Sequence, residues 1–302
     1  MPSSREIRRR IKSTQNIAKI TKAMELVAAA KMRKAQAAAI ASRPYAQLSG
    51  ELIRRLATKA DLLEYPLIKR VVTPPSSPPK IGGDRGGMIP RTLLILITSD
   101  KGLAGALNSN VINKALNVIK SEGAEKIDLI TIGKKGSDSA RRMKLNVIAA
   151  FDGKDKNISI LDARPIAEIA IADYLALKYE KVFAVYTDFV STLVQKPNMI
   201  QLLPFADDGS QITDHGLEYL FEPSPIEVLE RLIGSTVEFA IYQCLVEAVA
   251  SEHSARMVAM KNANDAAGDL IDDLTLSYNQ ARQAGITKEL SEISAAKLAM
   301  EG

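Results

Sequence analysis

Few side chains in this sequence could act as a nucleophile, a general base or a metal ligand. The 302 residues contain two histidines, His215 and His253, and a single cysteine, Cys244. The spacings typical of zinc proteases, serine hydrolases, P-loop proteins and paired-cysteine metal sites do not occur. A single cysteine also excludes an internal disulfide or a thiol-pair switch. We therefore expect no catalytic site, no metal and no cofactor, and interpret His253 as a polar residue of a helix seam.

The best candidate for a ligand site is the segment TSDKGLAGALNSN, which begins at Thr98. It is typical of a strand end, a glycine-containing turn and a helix start, an arrangement that can direct backbone amides at a phosphate. Its glycines do not form the GxGxxG pattern, and Asp128 is expected to precede its strand rather than end it. The alternative is a tight turn in which Asp100 and Asn108 cap local backbone groups.

Positive charge is concentrated at the N-terminus. Residues 1–43 carry eleven Lys or Arg against Glu6 and Glu25, in a chain with a net charge of +5. This bias favours an anionic partner. A nucleic acid is one alternative, although residues 1–57 offer only Tyr45 for base stacking. A membrane surface is another, but Ala is common where large apolar residues would be needed. A solvated coiled-coil face and an acidic protein partner complete the alternatives.

Two long helices are predicted at the ends of the chain. The first begins at Ser4 and has a stripe with steps of three and four residues, comprising Ile7, Ile11, Thr14, Ile17, Ile20, Met24 and Val27. Pro44 is expected to kink or break it. Near the C-terminus, alternating steps of four and three predict a coiled-coil seam along Val246, Ala250, His253, Met257, Met260, Asn264, Ala267, Ile271, Leu274 and Tyr278.

These helices are expected to wind together as an antiparallel coiled coil. At 1.5 Å per residue the C-terminal helix would be about 110 Å long, so it should project beyond the intervening domain. Its apolar face continues past the end of the first helix through Ile286, Leu290, Ile293 and Met300. Another molecule must therefore cover this tip.

Strands alternate with helices between the two ends, which indicates a mainly parallel α/β layer. Strands are predicted in RTLLILITSD, KIDLITIGKKG and KVFAVYTDF, with an antiparallel edge strand in VSTLVQKPNMIQLLPF. The fold class is thus α/β, an antiparallel two-helix coiled coil of the N- and C-terminal helices with an inserted Rossmann-like domain. The predicted bounds are 1–57 for the first helix, 58–90 for its end and a Pro/Gly-rich linker, 91–222 for the domain and 223–302 for the last helix.

Nothing in the sequence predicts insertion into or passage through a membrane. Its apolar runs are shorter than the roughly 20 residues that cross a bilayer, and no secretion signal follows the N-terminal charges. The Arg- and Ser-rich start resembles an organelle transit peptide, but removing it would cut through the first helix. The lone cysteine fits a reducing compartment.

Five stretches resemble the gamma subunits of F-type ATP synthases, the central shaft of a rotary machine. IKSTQNIAKITKAMELVAAAKMRKAQ and ASRPYA are similar to the family's first helix, SDKGLAGALNSN to its central turn and FVSTLVQKP to its last strand. SEHSARMVAMKNANDAAGDLIDDLTLSYNQARQAGITKELSEI is similar to its long C-terminal helix. The stretches follow the family's order and span nearly the whole chain.

The resemblance implies a non-catalytic subunit that rotates as a central stalk. It would couple ion (proton) flow through a membrane ring to ATP synthesis or hydrolysis at the beta subunits. The implied partners are an alternating hexamer of alpha and beta subunits, the epsilon subunit and the ring of c subunits, with no nucleic acid. The chain would be peripheral to the membrane through the complex. The missing transit peptide and the missing two-cysteine chloroplast insert favour the cytoplasmic face of a bacterial plasma membrane.

The resemblance also implies site residues. The family's contacts with the beta catch loops and the surrounding sleeve correspond here to Arg282, Gln283, Thr287 and Glu289. Apolar contacts with the same sleeve correspond to Ile286, Leu290 and Ile293. Coupling positions near the beta lever region match Met24 and Arg256, and the foot on the c-ring matches Tyr219 and Glu222. Lys101 lies beside the central turn. One departure is at the tip, where Ala296 and Lys297 replace the family's usual small Gly-Ala pair.

Overall fold

A computed structural model describes residues 4–57, 67, 91–153, 158–205, 222 and 225–301. Most of the predicted Pro/Gly-rich linker, residues 58–90, therefore lies outside the described residues. The chain forms two compact units. Residues 1–29 and 256–302 make up the first, here called the paired-helix unit, and residues 30–255 make up the second, here called the sheet unit.

Two long helices, α1 (Ser4–Ala57) and α5 (Pro225–Glu301), lie at the ends of the described chain. The elements between them are β1 (Thr92–Ile97), α2 (Leu107–Glu122), β2 (Ile127–Ile132), α3 (Lys134–Arg142), β3 (Val147–Phe151), α4 (Ile160–Leu175), β4 (Lys181–Phe189) and β5 (Gln195–Leu203). A short 3-10 turn, Ala124–Lys126, precedes β2. The α/β alternation predicted from the sequence is confirmed.

The five strands form one sheet in the order β3-β2-β1-β4-β5. β1 pairs in parallel with both β2 and β4, β2 pairs in parallel with β3, and β5 pairs antiparallel with β4. The three buried strands and the antiparallel edge strand were predicted. β3 was not, because its sequence VIAAF is short, half-buried and rich in alanine, which gives little strand signal.

The sheet has a core on each of its faces, and β1 contributes to both. Leu93, Ile95 and Ile97 pack in a cluster with residues of α4 and α5. Leu94 and Leu96 point to the opposite face and pack in a second cluster with residues of α2. Successive side chains of a strand alternate between faces, so a continuous apolar run such as TLLILI is buried from both sides.

Within the sheet unit, α1 and α5 run antiparallel and in contact. The side chain of Ser42 hydrogen-bonds that of Gln243, whose Nε2 donates to the Ala39 carbonyl oxygen at 3.4 Å. Three residues beyond Ser42, the Tyr45 ring lies 4.3 Å from that of Phe239, centroid to centroid. α1 continues through Pro44, so of the two predicted outcomes, a kink or a break, the break does not occur. Contacts with α5 on both sides of the proline offset the backbone hydrogen bond that it cannot donate.

One described helix, α5, is long and apolar enough by composition to cross a membrane, although no unbroken apolar run in it is long. Its many alanines raise the mean hydropathy without forming such a run. Part of the apolar surface is already covered, because Ile233, Val237 and Ile241 are fully buried in the core of the sheet unit.

Candidate interaction surface

In the paired-helix unit, α5 buries one narrow stripe. Met260 and Ala267 are buried, and Asn264, Ile271, Leu274, Tyr278 and Ala281 are half-buried at the predicted steps of three and four. The seam prediction for α5 is confirmed over this stretch. Ala281 is its last member, because every described side chain from Arg282 to Lys297 is exposed.

α1 buries a different stripe from the predicted one. Ile7, Ile11 and Thr14 lie in it as expected, but Ile17, Ile20 and Val27 are 52%, 59% and 56% exposed. The seam continues instead through the smaller residues Ala18, Thr21 and Ala28. The buried stripe follows the heptad spacing, which continues from residue 14 to residues 18 and 21. The residues at these positions are small, so the two helices can approach closely.

Three large apolar side chains lie on the uncovered part of α5. Ile286, Leu290 and Ile293 are 50%, 59% and 67% exposed, and their spacing of four and three places them on one helix face. We call these three residues the tip stripe. The four polar residues predicted to meet the catalytic subunits are also exposed, namely Arg282, Gln283, Thr287 and Glu289. Thr287 is partly engaged, since its hydroxyl donates to the Gln283 carbonyl at 3.0 Å.

A second exposed apolar stripe lies on α1, formed by residues that were predicted to be buried in the seam. It contains Ile17, Ile20 and Val27, with Leu26 beside it at 60% exposure. The sequence does carry a signal for it, because α1 has apolar residues on two faces and a two-helix coiled coil needs only one. Met24, predicted to affect coupling, lies half-buried between the two stripes.

The basic residues of α1 are exposed from residue 5 to residue 22, comprising Arg5, Arg8, Arg9, Arg10, Lys12, Lys19 and Lys22. Arg10 pairs with Glu6 at 2.8 Å and Lys22 with Glu25 at 3.0 Å, both within the helix. Exposed pairs of this type contribute little to stability. Positive charge therefore remains available on this surface for a partner.

Arg256, the other predicted coupling residue, is only 8% exposed. It belongs to a polar stretch of α5 in which His253 is 1% exposed. The interpretation of His253 as a buried seam residue agrees with this burial. No group of His, Cys, Asp and Glu among the described residues could hold a metal ion. Burial raises the pKa of the Cys244 thiol, which disfavours the reactive thiolate.

The turn after β1 is held by the chain's own acceptors. Asn108 accepts from the Ser99 backbone amide at 3.1 Å. Oδ1 of Asp100 accepts the backbone amides of Lys134 at 2.9 Å and Gly153 at 3.0 Å. The capping interpretation of this turn is therefore confirmed for Asn108, whereas Asp100 caps the start of α3 and the end of β3 rather than its own turn.

Asp128 lies within β2, so the prediction that it precedes the strand is wrong. It is 1% exposed and accepts hydrogen bonds from Tyr179 at 2.9 Å, Asn146 at 2.6 Å and Arg91 at 3.3 Å. Burial raises the pKa of Tyr179 to about 12. Three donors compensate the buried carboxylate, so these residues tie the starts of β1, β2 and β4 together.

Two of the remaining site residues can be placed. Lys101 is exposed at the turn after β1, and Glu222 is exposed just before α5. Tyr219 and His215 lie outside the described residues.

Taken together, these features define a coiled-coil protein with an inserted α/β domain and an uncovered helix tip. The family model described as ATP synthase matches residues 3–300. An ATP synthase gamma chain of Pelotomaculum thermopropionicum is 43% identical over 301 residues, covering 100% of both chains. One from Roseiflexus castenholzii is 42% identical over 309 residues, covering 99% of both. The chain belongs to the family of ATP synthase gamma chains, which makes it a subunit of the membrane-associated F-type ATP synthase; the nucleic-acid-binding alternative is not supported.

Solved structures with the same fold agree. A chain from the Euglena gracilis mitochondrial ATP synthase superposes with a TM-score of 0.64 at 18% identity, covering 98% of this chain and 94% of that one. A chain from the central stalk and c-ring of the Tetrahymena thermophila enzyme has a TM-score of 0.61 at 23% identity, covering 81% and 99%. The fold class predicted from the sequence is confirmed.

Proposed function

We propose that this protein works as a rotating shaft, coupling ion flow through a membrane ring to ATP synthesis or hydrolysis at the beta subunits of an alternating alpha and beta hexamer. It holds no catalytic site of its own in this proposal. Among the described residues, His253 and Cys244 are buried, and the Asp100 carboxylate already accepts the backbone amides of Lys134 and Gly153. These features leave no reactive side chain or phosphate cradle at either place, which favours a mechanical role.

The observation that carries the proposal is the uncovered end of α5. The seam ends at Ala281, and the tip stripe of Ile286, Leu290 and Ile293 follows at 50% to 67% exposure. Three large apolar residues in a row on one face are costly to leave in water, so a partner surface is expected to enclose them. The apolar sleeve formed by alpha and beta subunits at the shaft's tip is the proposed partner.

The polar neighbours of the tip stripe would give the contact its direction. Arg282 and Glu289 can form charge-assisted hydrogen bonds with the beta catch loops, while Gln283 and Thr287 offer neutral ones. Because these residues lie on one helix and are exposed in the described part of the chain, the shaft presents different chemistry to each beta subunit. Rotation would then move one asymmetric surface past three equivalent sites in turn.

The proposal assigns the remaining parts as follows. Residues 1–57 and 223–302 form the shaft, and residues 91–222 form the foot, with 58–90 as a linker. Tyr219 and Glu222 would contact the ring of c subunits, and the epsilon subunit would bind near the foot. Met24 and Arg256 would transmit force at the beta lever region. The site would be the cytoplasmic face of a bacterial plasma membrane, and no cofactor is needed.

A reconstitution experiment tests this proposal. The chain, mixed with its own alpha and beta subunits, should give a stable complex with ATPase activity. Replacing Arg282→Leu together with Gln283→Leu should weaken assembly or coupling, because it removes the polar contacts while keeping good helix formers. The helix content of the isolated chain, measured by circular dichroism, should stay nearly unchanged.

A matched control is the pair Lys120→Leu and Ser121→Leu, which lies at exposed positions of α2 in the sheet unit. This pair should leave assembly with alpha and beta intact. If the wild-type chain does not assemble with the two subunits, the proposed function is wrong. A large loss of helicity in the Arg282 and Gln283 variant would instead assign these residues a structural role.

A further inference from the structure

A cavity of about 410 Å³ lies within the sheet unit, at the carboxyl ends of β1, β2 and β3. The chain runs from β1 outward through β2 to β3 and then returns by α4 to β4 on the other side of β1. In open α/β sheets, ligands bind in the crevice at such a reversal of strand order. The volume lies in the range of about 300 to 1,000 Å³ that is typical of small-molecule pockets.

Two helices supply a continuous apolar wall. α4 contributes Leu161, Pro165 and Ile166, and α5 contributes Leu245, Ala248 and Val249. None of these side chains can donate or accept a hydrogen bond, so this wall suits a flat or compact apolar body.

The polar part of the cavity is acidic. Of the described residues that line it, Asp100, Asp152, Asp162 and Glu252 are acidic and Lys101 is basic. Asp162 accepts the Ser159 backbone amide at 3.0 Å and Asp100 accepts two backbone amides, but these neutral donors leave the carboxylate charges in place. Glu252 is only 7% exposed, so water screens its charge less than that of the exposed Asp152.

The same residues disfavour a nucleotide. In dinucleotide-binding folds, a pyrophosphate accepts hydrogen bonds from amides at the start of a helix. Here Asp100 already accepts from the first amide of α3, at Lys134, and from Gly153. A phosphate would have to displace this carboxylate and approach three further ones.

We propose that the cavity binds a small molecule with an apolar body and a protonated amine. The body packs between α4 and α5, and the ammonium group faces the carboxylates at the strand ends. Such a ligand contacts the strand ends, α4 and α5 at once, so binding raises the thermal stability of the sheet unit. The proposal does not depend on the function proposed above.

Three indole compounds of the same size test the charge preference on the full-length chain. Tryptamine carries a protonated amine, tryptophol is its neutral counterpart and indoleacetate is its anionic one. Titration calorimetry should show tryptamine binding about tenfold more tightly than tryptophol, with indoleacetate weaker than both and with ATP showing no binding. Melting curves should rise with tryptamine concentration.

Variants locate the binding. Glu252→Gln and Asp152→Asn should each reduce the preference for tryptamine over tryptophol several-fold. Asp152 is exposed, so its replacement keeps the test valid if Glu252→Gln fails to fold. Ala248→Leu, which narrows the cavity between α4 and α5, should weaken binding of both compounds. Asp138→Asn, at an exposed position of α3 outside the cavity, is the matched control and should change neither affinity.

Several results would overturn the proposal. They are equal or tighter binding of indoleacetate or ATP, a tryptamine affinity that Ala248→Leu leaves unchanged, and a charge preference that Asp152→Asn leaves intact. Absence of tryptamine binding at millimolar concentration would overturn it as well.

Discussion

The tip stripe offers the sharpest test of how this protein engages its partners. The perturbation is the triple replacement Ile286→Ala, Leu290→Ala and Ile293→Ala. These side chains are 50%, 59% and 67% exposed in the chain by itself. Truncating Leu or Ile to Ala removes the equivalent of three methylene groups, worth about 2.4 kcal/mol when fully transferred from water.

Scaling that value by the exposed fractions gives the share that only a partner can bury. The result is about 1.2, 1.4 and 1.6 kcal/mol, or about 4 kcal/mol in total. A loss of about 4 kcal/mol corresponds to roughly a thousandfold weaker association. Alanine is the best helix former, so the isolated chain should keep its helix content and its melting temperature.

The assay is dissociation of the reconstituted complex with alpha and beta subunits upon dilution, followed by mass photometry. The wild-type complex should remain intact at concentrations where the triple variant has lost its shaft. The control is Lys288→Ala with Glu292→Ala, a pair on another face of the same helix whose ion pair at 3.7 Å is 78% and 66% exposed. Such a pair contributes little, so this variant should behave nearly as the wild type.

If the triple variant dissociates no more readily than the control pair, the tip stripe is not buried by the alpha and beta subunits. An isolated triple variant that melts well below the wild type would also contradict the prediction, since the tip stripe would then stabilise the chain itself.

Three further predictions concern the sheet unit. Burial raises the pKa of Tyr179 to about 12. The unfolded chain therefore loses this proton first as the pH rises above about 10, and the free energy of unfolding falls between about pH 10 and pH 12. The melting temperature of Tyr179→Phe should fall less than that of the wild type over this range, and parallel curves would contradict the assignment. Gly133→Ala should destabilise the chain by about 3 kcal/mol or more, because φ is +91° and the new Cβ would lie 2.2 Å from the Thr98 carbonyl oxygen. Gly234→Ala, at a position in α5 with open space around it, should instead stabilise the chain by about 0.5 to 1 kcal/mol. Denaturant titrations measure both changes. Cys244 should react with a disulfide reagent far more slowly in the folded chain than in denaturant, because it is 1% exposed and burial raises its pKa; equal rates would show that α5 opens readily there.

Sequence patterns predicted the parts of the fold in which one repeat dominates. The seam of α5 from Met260 to Tyr278 follows steps of four and three without interruption, so its buried face could be read directly. β1, TLLILI, is Thr92 followed by five apolar residues, a run that is typical of a strand buried on both faces.

The stripe of α1 was harder to predict because α1 has two apolar faces. The buried stripe was predicted along the larger residues, such as Ile17 and Ile20, whereas the helix pair buries Ala18 and Thr21. Hydrophobicity does not report which face allows the closest approach of two helices. A single sequence does not show that a partner molecule contacts larger residues such as Ile17 and Ile20.

The cavity could not be predicted, because its lining comes from segments far apart in the chain. Ile97 and Val249 face the same space only after α4 and α5 pack on the ends of the strands. Asp100 and Gly153 are likewise joined only by the pairing order of the sheet. Contacts of this kind depend on topology and leave no local spacing to detect.

In the proposed function, the chain turns inside its partners while ATP is consumed. The direct measurement is single-molecule rotation of a complex with alpha and beta subunits, immobilised through beta. A bead would be attached at Lys120→Cys, an exposed position in the sheet unit, while the buried Cys244 stays unlabelled. We expect the bead to turn in one direction during ATP hydrolysis and to stop when ATP is removed. A bead that stays fixed while the same complexes hydrolyse ATP at the full rate would contradict rotation of the chain.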